Sequence, residues 1–301
     1  MADFLEKDKV AGFWDQLRKN AAEDVQSGYI GDEWPQAMGH NRFRGEWRQV
    51  TRWLDRYGVK RGRCLDVGCG MGMWLEHLAG RFEEADGIDL SSEMVESTRA
   101  RMQRRGLGNV RVEHKDVAAL DQERRYDFIF VGGVLMYVND AEVPVVLAKL
   151  SAMLAPGGVL LLRETTHRGT TWYRDKPIGV GLHGDPRAPR PPYRVIYRPP
   201  PAYAEAGRAH GLTLLCMQRN RHYKMMDQTE PWLWLWNFLL WGSLRKNKPR
   251  AERVARWIYR LRWLTLFPMY YAILVFYSRG WKIENHWYVL RRNATQTQTQ
   301  T

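Results

Sequence analysis

Cysteine is scarce in this chain, and its scarcity closes two routes at once. Only Cys64, Cys69 and Cys216 occur in 301 residues. They are too few and too scattered for a disulfide framework, and no Cys-x-x-Cys or His/Cys cluster offers a metal site. A reducing compartment and no metal are therefore expected. Long apolar runs are missing as well. The two best, Pro231 to Trp241 and Trp263 to Tyr277, fall short of the roughly 20 residues that a spanning helix needs, and Pro268 breaks the second. The opening Met1-Ala2-Asp3-Phe4-Leu5-Glu6-Lys7-Asp8 mixes charges where a secretory signal would be apolar, so a cytoplasmic location is expected.

Acidic residues are the third shortage. The formal net charge is +13, and its placement says more than its size. From Gln228 to Thr301 stand twelve Lys/Arg against three Glu, together with eight of the fourteen tryptophans. The C-terminal quarter is thus a basic, Trp-rich module, which is not ordinary surface composition. A chain of this length suits one core with a decorated surface.

Glycine, by contrast, is concentrated at one telling place. The run Arg63-Cys64-Leu65-Asp66-Val67-Gly68-Cys69-Gly70-Met71-Gly72 is an apolar strand that ends in an acid and turns through glycines into a helical pattern. Gly68, Gly70 and Gly72 leave no side chains where the backbone turns tightly and passes close to a ligand. About 20 residues on, Ala85-Asp86-Gly87-Ile88-Asp89-Leu90 puts an acid after a second short strand, where a ribose-binding carboxylate belongs. A dinucleotide site would read Gly-x-Gly-x-x-Gly, whereas the spacing here is Asp-x-Gly-x-Gly-x-Gly. From Gly62 to Leu162 strand and helix patterns alternate, which predicts a parallel sheet with helices on both faces and a ligand at the carboxyl ends of its strands.

With its motifs in this order the chain resembles the class I S-adenosylmethionine-dependent methyltransferases over residues 60–165. The resemblance implies an α/β fold with a doubly wound, mostly parallel, Rossmann-like sheet, and S-adenosyl-L-methionine as cofactor. It places the glycine loop, with Asp66, Gly68, Gly70 and Gly72, against the methionine part of that cofactor. Asp89 and Leu90 then fall at the ribose, Asp116 and Val117 beside the adenine, and Gly132, at the end of the strand Tyr126 to Gly133, toward the reacting methyl group. Leu154 to Leu162 matches the turn into strand five. A nucleotide-binding sheet for another ligand is the alternative.

Around this core the expected organisation is a helical lid over 1–58, the core over 59–224 and an aromatic, basic insertion over 225–282. A last core strand over 283–293 and a disordered tail over 294–301 complete it. Trp14, Tyr29 and Asn41 are candidate lid residues, with core packing of the aromatics the other reading. The long stretch 165–201 reads as irregular. The insertion falls inside the antiparallel hairpin that closes such sheets, between Leu212 to Met217 and Trp287 to Leu290.

Methyl transfer from a sulfonium is a direct displacement, so the protein must align the acceptor, exclude water and, for a hydroxyl, take a proton. No cysteine stands between Cys69 and Cys216 to act on a cytosine carbon. Gly132-Gly133-Val134-Leu135 occupies the place where methylation of base amino groups would call for Asn/Asp-Pro-Pro-aromatic. His167, at the end of strand five, is the candidate base because imidazole titrates near neutrality. Glu164 is the second candidate, and Tyr137 the candidate beside the cofactor. Backbone hydrogen bonding of His167 and core packing of Tyr137 are the competing readings. Arg163, Arg168, Arg194 and Arg198 are candidate contacts to an anionic acceptor, since guanidinium groups suit carboxylate or phosphate; simple solvation competes here too.

Between the two aromatic runs of the insertion lie Arg245, Lys246, Lys248, Arg250, Arg253, Arg256, Arg260 and Arg262 with one acid, Glu252. Tryptophan and tyrosine prefer the headgroup level, and each Lys/Arg near an anionic leaflet contributes about 1 kcal/mol. A peripheral module on the inner face of a membrane is expected, with a lipid, a lipid-linked saccharide or another amphipathic acceptor. Three alternatives stand beside it: a homodimer contact, an acceptor-pocket wall in a soluble small-molecule enzyme, and a non-catalytic scaffold. A nucleic-acid groove is disfavoured, because runs such as Ala272 to Phe276 are too apolar for it.

Overall fold

A computed structural model gives the architecture, and it describes residues 4–19, 35–120, 123–177, 183, 192–223, 233, 235–261 and 282–293. Short runs that are apolar on both sides become inner strands of a parallel sheet. β1 (Arg63–Val67), β2 (Glu84–Asp89), β3 (Val110–His114), β4 (Tyr126–Gly132) and β5 (Leu154–His167) lie parallel in the order β3-β2-β1-β4-β5. Beyond β5 the sheet continues with β9 (Ile283–Arg292) and then β8 (Leu212–Arg219), β9 running antiparallel to both neighbours. One-residue alternation sorts the two faces. Phe128, Phe130, Leu161, Trp287 and Val289 pack under α2 (Gln36–Arg56), α3 (Met73–Ala79) and α4 (Ser92–Arg104). Ile129, Val131, Leu160, Leu162, Tyr288 and Leu290 pack against α5 (Val143–Met153) and α6 (Pro200–Ala209). Strand order reverses between β1 and β4, so a crevice opens above their carboxyl ends.

The closing hairpin forms as expected, but β9 is longer than Trp287 to Leu290. Its first half escaped the apolar pattern because it buries polar groups: Asn285 Oδ1 accepts from Asn220 Nδ2 at 2.9 Å, and His286 Nδ1 meets Thr166 Oγ1 at 2.8 Å.

The described residues of 165–201 are not irregular. β6 (Trp172–Pro177) and β7 (Pro192–Tyr197) form an antiparallel ladder that runs from Trp172 opposite Tyr197 to Pro177 opposite Pro192. Alternate residues Tyr193, Val195 and Tyr197 bury against Phe13 and Met136. The prolines at the far end of the ladder masked this alternation in the sequence. The segment between the two strands, with Arg187 and Arg190, lies outside the described residues.

α1 (Lys7–Lys19) lies along α4, fastened where Ser91 Oγ donates to Asp15 Oδ1 at 2.5 Å and Lys19 pairs with Glu93 at 3.1 Å. Tyr29 lies outside the described residues. The insertion packs on the start of α2, with Leu233, Leu244 and the small residues Ala251 and Ala255 against Ala37 and Met38. Its helices α7 (Ser243–Lys246) and α8 (Lys248–Leu261) are short. Among the described residues no helix is long and apolar enough to cross a membrane. Trp236 turns inward and meets Trp257 edge-on at 5.9 Å. Trp232, Trp234 and the run 263–277 lie outside the described residues.

Candidate active site

The crevice above β1, β2 and β4 is one continuous cleft, and its first wall is the glycine turn. Gly68, Gly70 and Gly72 all have positive φ, at 69°, 55° and 75°. A Cβ on Gly68 would stand 2.3 Å from Val134 Cγ2, and one on Gly72 would stand 2.7 Å from Thr98 Cγ2. Gly68 and Gly70 line the cleft. Gly72 does not, and acts instead as the left-handed start of α3, packed on α4. Asp66 is not at the surface of the cleft either. It is buried beneath the turn, and its Oδ2 has no partner.

Asp89, at the end of β2, lines the cleft and organises it, with Oδ2 accepting from Gly70 N–H at 2.8 Å and Oδ1 from Ser91 N–H at 2.9 Å. Burial pushes its carboxyl above the usual range, against those hydrogen bonds. Leu90, Met71 and Met94 supply apolar lining beside it. Asp116 and Val117 follow β3 on the same wall. Asp116 caps the next turn through Ala118 N–H at 2.9 Å, and Lys7 of α1 pairs with its Oδ2 at 2.8 Å and with Glu142 at 3.0 Å. Trp14 and Tyr137 complete this end, edge-on at 5.7 Å, with Tyr137 Oη held to Tyr193 Oη at 2.9 Å. Asn41 does not line the cleft.

Gly132 and Arg163, neighbours across β4 and β5, lead to the second wall. There α2 contributes Arg42, Phe43 and Glu46, α3 contributes Met73 and Trp74, and Thr165, Tyr223 and Asn285 close the wall. Glu46 is 1% exposed. Its Oε1 accepts from Arg42 Nε at 2.8 Å and Asn220 Nδ2 at 2.7 Å, and its Oε2 from Arg163 Nη1 at 2.7 Å. Burial would raise this carboxyl, but the two guanidinium groups overrule it and hold it at about 2. Sequence reading passed over Glu46 and Arg42. Their signal was an i,i+4 pair of opposite charge on the aromatic stripe of α2.

The other acceptor-side candidates are not brought together. His167 lies outside the lining; its Nδ1 meets Thr170 O at 2.7 Å and its ring lies beside Trp172. Glu164 points to the opposite face of β5 from Arg163. Its Oε1 accepts from Val134 and Leu135 N–H at 3.0 and 3.1 Å, which fixes the turn after β4. Arg168 pairs with Glu284 and Arg194 with Asp175. Arg198 is buried in a structural clasp on Leu135 O, Val138 O and Asp140, each at 2.7 Å. Of the four arginines only Arg163 faces the cleft.

Two buried acids carry a pH signature. Burial, reinforced by Asp89, pushes Asp66 up to about 8, and burial pushes Glu164 up to about 7. Such a group adds stability below its unfolded pKa and loses it as pH rises through the folded value. Asp66→Asn keeps an oxygen for the Leu75 N–H that Asp66 accepts and removes the charge. The variant should melt higher than the parent at pH 9, by about 2 °C or more for each kcal/mol relieved. At pH 4 the two should melt alike. Equal melting temperatures at both pH values would count against a strained Asp66.

The donor set fits a nucleoside that carries a cationic side chain. Asp89 offers its carboxylate to vicinal hydroxyls, Leu90, Val117 and Met94 offer apolar contact, and bare glycine backbone lines the path toward Gly132. The buried Asp66 Oδ2, without a hydrogen-bond partner, lies below that path.

The methyltransferase-domain family model matches residues 64–158. Trans-aconitate 2-methyltransferase of Methylobacterium radiotolerans is 35% identical over 146 residues, covering 45% of this chain and 53% of that protein. The chain thus spans about half the length of that relative. The enzyme of the same name from Pseudomonas paraeruginosa is 26% identical over 234 residues, 74% of this chain and 81% of that protein. Among solved structures, coclaurine N-methyltransferase bound to N-methylheliamine and SAH superposes with a TM-score of 0.52 at 18% identity, over 82% of this chain and 72% of that one. That likeness shows the fold. Over residues 64–158 the chain thus matches the methyltransferase domain and resembles S-adenosylmethionine-dependent methyltransferases.

Proposed function

We propose that this chain moves the methyl group of S-adenosylmethionine to an amphipathic small-molecule acceptor seated at the Arg42–Glu46–Arg163 wall, and that its insertion rests on an anionic membrane surface. One observation carries the enzymatic half: a single cleft joins the Asp89 and glycine-turn wall to a second, charged and aromatic wall, with Gly132 between them. When bound, the cofactor supplies an electrophilic methyl group. Asp89 and Asp116 hold the nucleoside end, the turn of Gly68 and Gly70 lies against the amino-acid end, and Trp14 and Tyr137 exclude water. Phe43 and Trp74 orient the acceptor. Incubation with methyl-labelled cofactor and fractionated cell extract should put label into an organic-soluble or small-molecule fraction. Label confined to protein or nucleic acid would refute this reading.

The membrane half rests on the outer face of the insertion. Leu233, Trp236 and Leu240 face the protein, yet Leu235, Phe238 and Leu239 form a second apolar stripe, with Phe238 79% and the adjoining Trp241 95% exposed. Arg245, Lys246, Lys248, Arg250, Arg253, Arg256 and Arg260 are exposed as well. Glu252, the acid among them, turns inward to accept from Gln36 and Ala37 N–H at the start of α2. Its charge is spent on that helix dipole, and the exterior stays cationic. A surface apolar stripe edged by cations matches an anionic interface. The protein should sediment with anionic vesicles more than with neutral ones, and salt should weaken the difference. Changing Phe238, Leu239 and Trp241 together to Ser should cut binding at every salt concentration. A protein that stays in the supernatant with every vesicle and elutes as a dimer would make the stripe a protein interface.

A further inference from the structure

The second wall carries charge in an arrangement that cofactor binding leaves unexplained. Arg42 and Arg163 both pair with the carboxylate of Glu46, which places two guanidinium groups among Phe43, Met73 and Trp74. Arg163 gives Glu46 only its Nη1. Its Nε is buried without a hydrogen-bond partner, and its Nη2 stands over Gly132, 3.3 Å from where a Cβ on that glycine would lie. Nε–H and Nη2–H form the side-on fork of a guanidinium, the edge that takes a carboxylate through two parallel hydrogen bonds. Among the described residues none hydrogen-bonds to that Nε, and the guanidinium lies over the rings of Trp74 and Phe130. Any side chain at position 132 would crowd it, since the same Cβ would stand 2.8 Å from Phe130 Cζ.

The wall is also short of a proton acceptor. Its described lining contains no histidine, and Glu46 stays ionised between two guanidinium groups far below neutrality. Such a carboxylate is a poor general base at pH 7. An acceptor that arrives already deprotonated needs none.

We infer that the acceptor is a carboxylic acid with an apolar body, held by the fork of Arg163 and converted to its methyl ester. This rests on the methyltransferase reading above. One carboxylate oxygen uses a lone pair to form the new C–O bond while the methyl C–S bond breaks, and that electron pair stays on sulfur as a thioether. The negative charge of the carboxylate and the positive charge of the sulfonium disappear together, and no proton moves. Phe43, Met73 and Trp74 take the apolar body of the acid.

The test uses the full chain loaded with S-adenosylhomocysteine, and as probes octanoate, decanoate, cinnamate and benzene-1,3,5-tricarboxylate, each beside its amide and its alcohol. At least one carboxylate should raise the melting temperature of the loaded protein where its amide and alcohol do not. With methyl-labelled cofactor the same acid should yield label released as methanol by mild alkali, the mark of an ester. Arg163→Gln should raise KM for that acid at least tenfold while the affinity for S-adenosylhomocysteine, read by calorimetry, stays within twofold. Arg163→Lys, which keeps the charge for Glu46 but lacks the fork, should show the same rise if the Gln variant does not fold. Glu46→Gln should lower KM, because it frees positive charge; a purely structural role for the cluster would instead raise KM in every variant. Alkali-stable label, equal response to amides, or no response to any of the carboxylates in a protein that binds S-adenosylhomocysteine would overturn the carboxylate assignment. Failure to bind S-adenosylhomocysteine at all would instead overturn the methyltransferase reading beneath it.

Discussion

Glu46→Ala is expected to destabilise the protein by about 3–5 kcal/mol at neutral pH, since removal of one partner leaves buried charge uncompensated. Arg42 and Arg163 would then face each other across a cavity with no carboxylate between them, and Asn220 Nδ2 would lose an acceptor. The parent should show the same dependence in its acid unfolding. Glu46 titrates at about 2 in the folded protein against an ordinary 4.5. Its stabilisation is therefore complete above the unfolded value and is lost as pH falls through the folded one. Urea unfolding of parent and variant at pH 7 and pH 3 should show the gap between them narrow at the lower pH. A gap that stays constant, or a cost below about 1 kcal/mol at neutrality, would mean that the cluster is more hydrated than its burial indicates.

Asp89→Ala is expected to weaken binding of S-adenosylmethionine and its demethylated product by about 1–3 kcal/mol, roughly 5- to 150-fold, without unfolding the core. Two losses combine. The hydroxyl acceptor at the end of β2 disappears, and Gly70 and Ser91 N–H lose the oxygens that set the turn and the start of α4. Asp89→Asn should fall between parent and Ala, because one acceptor oxygen remains. Calorimetric titration of the three proteins gives the order, and circular dichroism checks the fold. Affinity that is equal across the three would remove Asp89 from the site.

The glycine-turn wall of the cleft was legible because its constraints are local. A turn that admits only glycine at Gly68 and Gly72, and an acid at the end of the next strand, are written within about 30 residues of one another in a fixed order. The sheet was legible for a related reason: strands buried on both faces, such as Phe128 to Val131 and Val159 to Leu162, read as continuous apolar runs. The wall of Arg42, Glu46 and Arg163 was not legible. Glu46, Arg163 and Asn220 come from α2, β5 and the turn after β8, and only the folded sheet brings them together. His167 and Arg198 show the converse failure. Their residue types suggested chemistry, but β5 carries His167 past the cleft, and Arg198 is consumed by the backbone carbonyls of the turn after β4. β6 and β7 were hidden by the prolines that end their ladder.

Calorimetric titration of the unmodified chain with S-adenosylhomocysteine tests the central claim most directly. One molecule should bind per chain, with the heat sharply reduced in Asp89→Ala, and excess NAD should not displace it. No binding at millimolar ligand, or binding that survives Asp89→Ala unchanged and yields to NAD, would contradict the account.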